Sequence, residues 1–416
     1  MGSIIGSTRD RRTCFGKRRT EIPDPQECPR QEEEMATDRR KAGKFALRFW
    51  TGSIVVLAFV FAACDGSSPP ATAPPRMTTD AEPDAPRTYE LGGFPEFPSG
   101  SLPESTAAAL QAVLDEAVEK GTFTGVTAAA IVADRGSWTG AAGSMEGVED
   151  VPLTPDSRLP THSAGKNIVA AQVLRLVEEG RLGLDDPAAD HLPPELGFFD
   201  ANGATVRQVL GMRSGIPDLN EYEEDGFYPA EQASTAIKVF RKLPEPTVRP
   251  GSSVHYASTN YILLGTIIEQ ISGRPLSEAL RSGVLDHPGL EGLAYTVEDA
   301  LASDGWGVET TPSSLARWGY ELYGGFVLSD ASLREMTDFQ GKWYGLGVMD
   351  FSDDYGTLAV GHDGASSTTT CCSAIRLVAL PEEGMVISVQ ANGGATSPWG
   401  KVVRSTKALR NALLGL

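Results

Sequence analysis

The strand-like segments of this 416-residue chain lie near its two ends and the helix-like segments lie between them, which constrains the fold more than any other feature. Gly125 to Ala133 is a Thr/Val/Ala/Ile run of strand length, and Gly136 to Gly143 can return beside it through Asp134-Arg135-Gly136. A second group follows residue 340: Gly345 to Met349, Leu358 to Gly361, Ser373 to Leu380 and Gly384 to Gln390, with Pro381-Glu382-Glu383-Gly384 as a turn. Between about 163 and 285 helical periodicity prevails. Val169, Val173, Leu176 and Val177 make one apolar stripe that Gly180 stops, and Leu264, Ile267, Ile268 and Ile271 make another that Gly273 stops. One helix precedes the strands, with Leu110, Val113, Leu114, Ala117 and Val118 on a single face and Gly121 as its end; another runs from Trp399 to Leu413. Strands arriving from both ends around a helical insert imply one sheet closed by the two chain ends. Roughly 320 residues exceed what one compact core usually holds, so two lobes with a cleft between them are expected.

The first hundred residues read differently. Residues 1 to 34 hold seven Lys/Arg and seven Asp/Glu without apolar periodicity, so we expect no element there and take Met35 as the start of the native protein. From Met35 a basic stretch (Arg39, Arg40, Lys41, Lys44, Arg48) leads into an apolar run from Phe49 to Ala63 and then Cys64, the three-part layout of an export signal. Fifteen residues of helix reach roughly 22 Å, short of about 30 Å of hydrocarbon, which favours cleavage over a permanent span. Phe61-Ala62-Ala63-Cys64 resembles a bacterial lipobox, and that resemblance implies lipidation of Cys64 and a membrane-anchored, periplasmic or cell-surface protein. Cys64→Ser is then expected to release the protein from membranes; wild-type protein exported but found only in the soluble fraction would end the idea. Residues 65 to about 95 carry Pro69, Pro70, Pro74, Pro75, Pro83 and Pro86 among Ser, Thr and Ala, the composition of an extended tether.

Charge removes whole classes of function. Of 36 Lys/Arg and 55 Asp/Glu, the first 64 residues hold 12 and 8, so 24 and 47 remain and the exported part carries −23. Nucleic acid and anionic head groups repel such a surface. The acidic run Glu221-Tyr222-Glu223-Glu224-Asp225 reads as a solvated loop. The cysteines (14, 28, 64, 371, 372) show no zinc spacing, and the adjacent pair Cys371 and Cys372, pointing to opposite faces of a strand, reads as two buried small hydrophobes. No metal and no cofactor is expected.

Chemistry gathers at three places. Ser163-Ala164-Gly165-Lys166 is the single Ser-x-x-Lys of the chain and opens a predicted helix, where positions i and i+3 stack on one face. A serine needs an adjacent base to become a nucleophile, and lysine can serve when its surroundings disfavour the ammonium; an N-cap serine with a surface lysine would give the same spacing. A phosphate loop fails, because Pro160 stands where its first glycine belongs and Asn167 follows the lysine. No Gly-x-Ser-x-Gly or His-Glu-x-x-His occurs. Ninety-three residues after Ser163, Tyr256 lies in a turn before a helix and could relay a proton beside a lysine cation. Gly361-His362-Asp363-Gly364-Ala365 follows a predicted strand, with glycines that permit close approach.

Together these three elements resemble the serine β-lactamase, penicillin-binding protein and D-Ala-D-Ala carboxypeptidase superfamily, in its class C-like branch with esterases and D-aminopeptidases, over about residues 105 to 400. Thr154-Pro155-Asp156-Ser157-Arg158, Leu182-Gly183-Leu184-Asp185-Asp186-Pro187, Ser214-Gly215-Ile216-Pro217 and Tyr344-Gly345-Leu346-Gly347 also look like that family. The resemblance implies an α+β fold over residues 100 to 416: an antiparallel sheet flanked by helices, a mostly helical lobe at about 163 to 290, and the active site in the cleft between them. It further implies that Ser163 is acylated, that Lys166 assists its deprotonation, and that Tyr256 is the general base and later proton donor. The N–H groups of Ser163 and Ala365 would form the oxyanion hole. Ser258, His362 and Gly364 would contact a small ester, amide or peptide substrate. One departure stands out. The family's Tyr-x-Asn reads Tyr256-Ala257-Ser258, replacing a carboxamide with a hydroxyl, and this favours an esterase over a carboxypeptidase or β-lactamase. A non-hydrolytic binding protein of the same fold is the third possibility.

Overall fold

In the computed structural model Val126 pairs with Ala391, and this contact between the two ends of the catalytic region closes the sheet. The structure describes residues 91 to 416 except 92, 146–150, 220–235, 306, 341, 369–370 and 394–398. The expected leader, Cys64, most of the expected tether and the acidic run 221–225 lie outside the described residues, as do the side chains of Cys371 and Cys372.

After α1 (Glu104–Glu119) come β1 (Gly125–Val132), β2 (Gly136–Gly143), β3 (Leu159–Pro160) and α2 (Lys166–Glu178). The helical middle continues with α3 (Val206–Leu210), α4 (Ala236–Lys242), α5 (Thr259–Ser272) and α6 (Leu276–Arg281). Then follow β4 (Ala294–Tyr295), β5 (Val308–Thr310), α7 (Pro312–Tyr323) and α8 (Asp330–Met336). The chain ends with β6 (Met349–Asp350), α9 (Ser352–Tyr355), β7 (Val360–Thr368), β8 (Cys371–Leu380), β9 (Met385–Asn392) and α10 (Trp399–Leu414). Six strands form an antiparallel sheet in the order β2-β1-β9-β8-β7-β6, so the expected α+β architecture is present.

Every residue of β1 and β9 is buried, because helices cover both faces. On one face α7 lies close enough that a Cβ on Gly319 would come 2.8 Å from Leu377, and Ser388 donates a 2.7 Å hydrogen bond to the Pro312 carbonyl. On the other, α1 and α10 pack together, with Leu110 and Leu114 of α1 fully enclosed one turn apart; each contributes about 2 kcal/mol by burial. Arg376 belongs to this second face and is 1% exposed; it donates to Asp363 at 3.3 Å and to Asp354 at 2.9 Å. α2 is buried on nearly all sides, as suits a helix in the interior. Asn167 ties it to its neighbours, donating to Tyr323 Oη (3.0 Å) and the Gly347 carbonyl (2.8 Å) while accepting from Trp318 Nε1 (2.9 Å).

Two expectations about strands need correction. Gly345 to Met349 is a bend: Gly345 N–H bonds to the Val348 carbonyl and Leu346 N–H to the Met336 carbonyl, so neither is available to a ladder, and only Met349–Asp350 pairs with β7. A second sheet, β3-β5-β4, was not foreseen, since strands of two or three residues are too short to show alternation.

Candidate active site

Residues His162–Gly165 make one tight 3₁₀ turn, and α2 begins directly at Lys166. The spacing of three therefore stacks the two side chains: Lys166 Nζ donates to Ser163 Oγ at 3.0 Å. Lys166 is fully enclosed, whereas Ser163 keeps part of its surface open. The turn is held from several sides. Thr161 N–H bonds to the Val308 carbonyl of β5 at 2.8 Å, and the His162 ring shares a 2.6 Å hydrogen bond with Ser373 of β8. His162 has φ +46, a left-handed conformation that a non-glycine residue keeps only when its surroundings impose it. Gly305 does so: a Cβ there would overlap the His162 carbonyl oxygen, and one on the facing Gly165 would come 2.8 Å from the Gly305 Cα. Gly364 of β7 closes the other side. An added Cβ would lie 2.6 Å from the Thr161 carbonyl oxygen and 2.8 Å from Ser163 N, so this glycine lets the strand run against the serine's own backbone, next to the exposed Ala365.

Aromatic rings surround the lysine. Its ammonium lies 5.4 Å from the Tyr256 ring centre and 5.9 Å from that of Tyr261. The Tyr256 hydroxyl is buried and has no hydrogen-bond partner among the described residues. Its ring stacks on Trp343 (6.2 Å, 21°) and meets Tyr344 edge-on (5.7 Å, 89°). Burial holds the Tyr261 and Tyr344 phenols far above the usual tyrosine range, so both stay neutral beside the lysine. Burial first, and the Lys166 charge second, push His162 down to about 4. Among the described residues no group of three His, Cys, Asp or Glu is arranged to hold a metal ion. A cavity of about 260 Å³ also touches Tyr344, but it reaches none of Ser163, Lys166 and Tyr256, and both of its arginines are engaged: Arg207 with Asp185 and Glu335, Arg213 with the Gly251 carbonyl and Gln340.

A lysine-bonded serine with an unpartnered phenol nearby, beside a glycine-bearing strand, is an arrangement for acyl transfer. The model of the family described as Beta-lactamase matches residues 110–403. The chain belongs to the beta-lactamase family. It is similar to penicillin-binding protein 4* of Bacillus subtilis (28% identity over 183 residues, 42% of this chain and 38% of that protein). It is also similar to esterase EstB of Burkholderia gladioli (29% over 219 residues, 46% and 52%). The chain thus spans between about a third and a half of the length of these curated relatives. Among solved structures, D-amino acid amidase from Ochrobactrum anthropi SV3 superposes with a TM-score of 0.60 at 21% identity, covering 75% of this chain and 99% of that one, which shows the shared fold.

Within this beta-lactamase-family site, Ser163, Lys166 and Tyr256 come together, but other expected residues sit elsewhere than anticipated. His362 does not line an open pocket. Strand alternation turns it inward, where it is fully buried with Nε2 3.1 Å from Tyr344 Oη and Nδ1 2.6 Å from the Asp363 carbonyl. A carbonyl can only accept, so the ring proton sits on Nδ1 and Nε2 accepts from Tyr344. Gly364 is likewise spent on packing, as described above. Ser258 immediately precedes α5 and is 6% exposed; its N–H bonds to Asp218 and its hydroxyl does not cap the helix. Asn260 cannot replace the missing carboxamide: its Oδ1 accepts from Ser214 and its Nδ2 donates to the Ala257 carbonyl, both inside the fold. Sequence reasoning missed His162, Tyr261, Trp343 and the packing role of Gly305. The adjacent aromatic pair before Gly345 was the one available hint.

The state of His362 has a measurable consequence. Burial pushes its pKa down to about 3, below the value near 6.5 of an unfolded histidine. As pH falls, the unfolded chain therefore takes the proton first, so this contribution is complete above about 6.5 and drains away toward 3. At pH 5 the loss is about 2 kcal/mol from this residue. Denaturant unfolding of wild type and His362→Gln at pH 7 and pH 5 checks it: the variant should lose about that much less. Parallel losses in the two proteins would show that His362 does not titrate this way.

Proposed function

We propose that this protein is a serine hydrolase that cleaves ester or amide bonds of small substrates through an acyl-enzyme on Ser163. The observation that carries the reading is the 3.0 Å hydrogen bond from the enclosed Lys166 to the part-exposed Ser163 hydroxyl. In this reading Ser163 Oγ attacks the carbonyl carbon as its proton passes to the Lys166–Tyr256 pair, and the carbonyl oxygen takes up charge against the N–H groups of Ser163 and Ala365. Tyr256 then gives a proton to the departing alcohol or amine. Water repeats the sequence on the ester so formed and frees the acid. The phenol's lack of a partner among the described residues suits a group whose partner is a substrate atom.

Ser258 in place of a carboxamide, and similarity to an esterase, support small esters as the preferred class. Similarity to a penicillin-binding protein supports the rival reading of a D,D-carboxypeptidase or β-lactamase. Acid quenching during turnover of a short-chain p-nitrophenyl ester, followed by peptide mapping, should find the acyl group on Ser163. Label on another residue, or none while product forms, would refute the reading; stable acylation by penicillin without ester turnover would favour a binding role.

A further inference from the structure

Trp343 is 46% exposed, although its ring stacks on Tyr256 at 6.2 Å and meets Tyr344 edge-on at 5.3 Å. Tyr344, its neighbour in sequence, is 2% exposed. What sets this tryptophan apart from other exposed apolar residues such as Phe198 and Phe326 is its place: its ring lies against Tyr256, beside the reacting groups. The backbone that carries the indole is anchored: the Trp343 carbonyl accepts from Asp350 N–H at 3.0 Å, and the preceding Lys342 N–H bonds to the Phe339 carbonyl at 2.8 Å. It is a held wall at the rim of the site.

Its place beside Tyr256 tells which half of a substrate it meets. In acyl transfer the phenol hands its proton to the departing atom, so that atom must come within hydrogen-bond reach of Tyr256 Oη. A group carried by the departing atom is then brought to the neighbourhood of the Tyr256 ring, on which the half-exposed Trp343 stacks. We infer that Trp343 is the wall of a leaving-group subsite that favours flat apolar groups, an aryl alcohol or an aromatic amine. This rests on the hydrolase reading above and specifies its substrate class. Ring stacking accounts for the preference, because a planar group offers offset contact to the indole that a small aliphatic one lacks.

The test uses the full chain with phenyl acetate and trifluoroethyl acetate, which share the acyl group and differ in the departing alcohol. For Trp343→Ala the ratio of kcat/KM for the aryl ester over the alkyl ester should fall about two- to tenfold relative to wild type, mostly through KM; Trp343→Phe should restore most of it. An unchanged ratio, or equal losses on both esters, would overturn the proposal, the second outcome showing that Trp343 only props Tyr256. Failure of the underlying reading looks different: wild type would turn over neither ester, or Ser163→Ala would keep wild-type rates.

Discussion

Ser163→Ala is expected to lower kcat/KM on any accepted ester by about 10³- to 10⁶-fold while leaving the fold unchanged. The size follows from how the group is held. Ser163 Oγ is the atom to which Lys166 donates at 3.0 Å. Removing it takes away the bond-forming atom, and the remaining pocket can only bind and polarise. Ser163 is partly open and its side chain is small, so the truncation leaves little cavity. Steady-state kinetics beside a thermal melt checks both halves; a variant that keeps wild-type turnover would place the nucleophile elsewhere.

Gly305→Ala should be the most damaging single change outside the reacting groups. Gly305 has φ +94, and its missing side chain is the space filled by the His162 carbonyl. A methyl group there meets backbone on a turn that is bonded to β5, β8 and its own glycine loop, so it has nowhere cheap to go. Left-handed strain and overpacking together cost about 3 kcal/mol. The turn must shift, and a displacement of about 1 Å in Ser163 costs on the order of 10²-fold in rate. Denaturant unfolding and ester kinetics on Gly305→Ala test this; wild-type values for both would show that the loop yields without moving the serine.

Length and repetition decided what could be read beforehand. α1, α2, α5 and α10, with β1, β2, β8 and β9, are long enough to display a period and end at glycine or turn residues. β6 was misplaced because Leu346 spends its N–H on Met336, a choice made by the end of α8 and invisible in the local pattern. The same division runs through the site. The spacing of Ser163 and Lys166 was legible since one helical turn stacks positions i and i+3, but the enclosure of the lysine was not. His362 was legible as a position on a strand and illegible as chemistry, because its neutrality depends on Tyr344 and on burial under the assembled sheet.

The sequence by itself therefore determined the order of the longer helices and strands, which follows from short-range periodicity, and the i, i+3 spacing of Ser163 and Lys166, while the antiparallel sheet and the chemistry of that pair were implied by the family resemblance of three motifs together. Tertiary structure alone decided that His162 is left-handed, that Gly305 presses on it across 144 residues from Thr161, that Trp343 stands open beside Tyr256, and that His362 is a neutral buried ring. Those facts arise from contacts between distant segments and from the loss of water around them, and neither leaves a periodic trace in the chain.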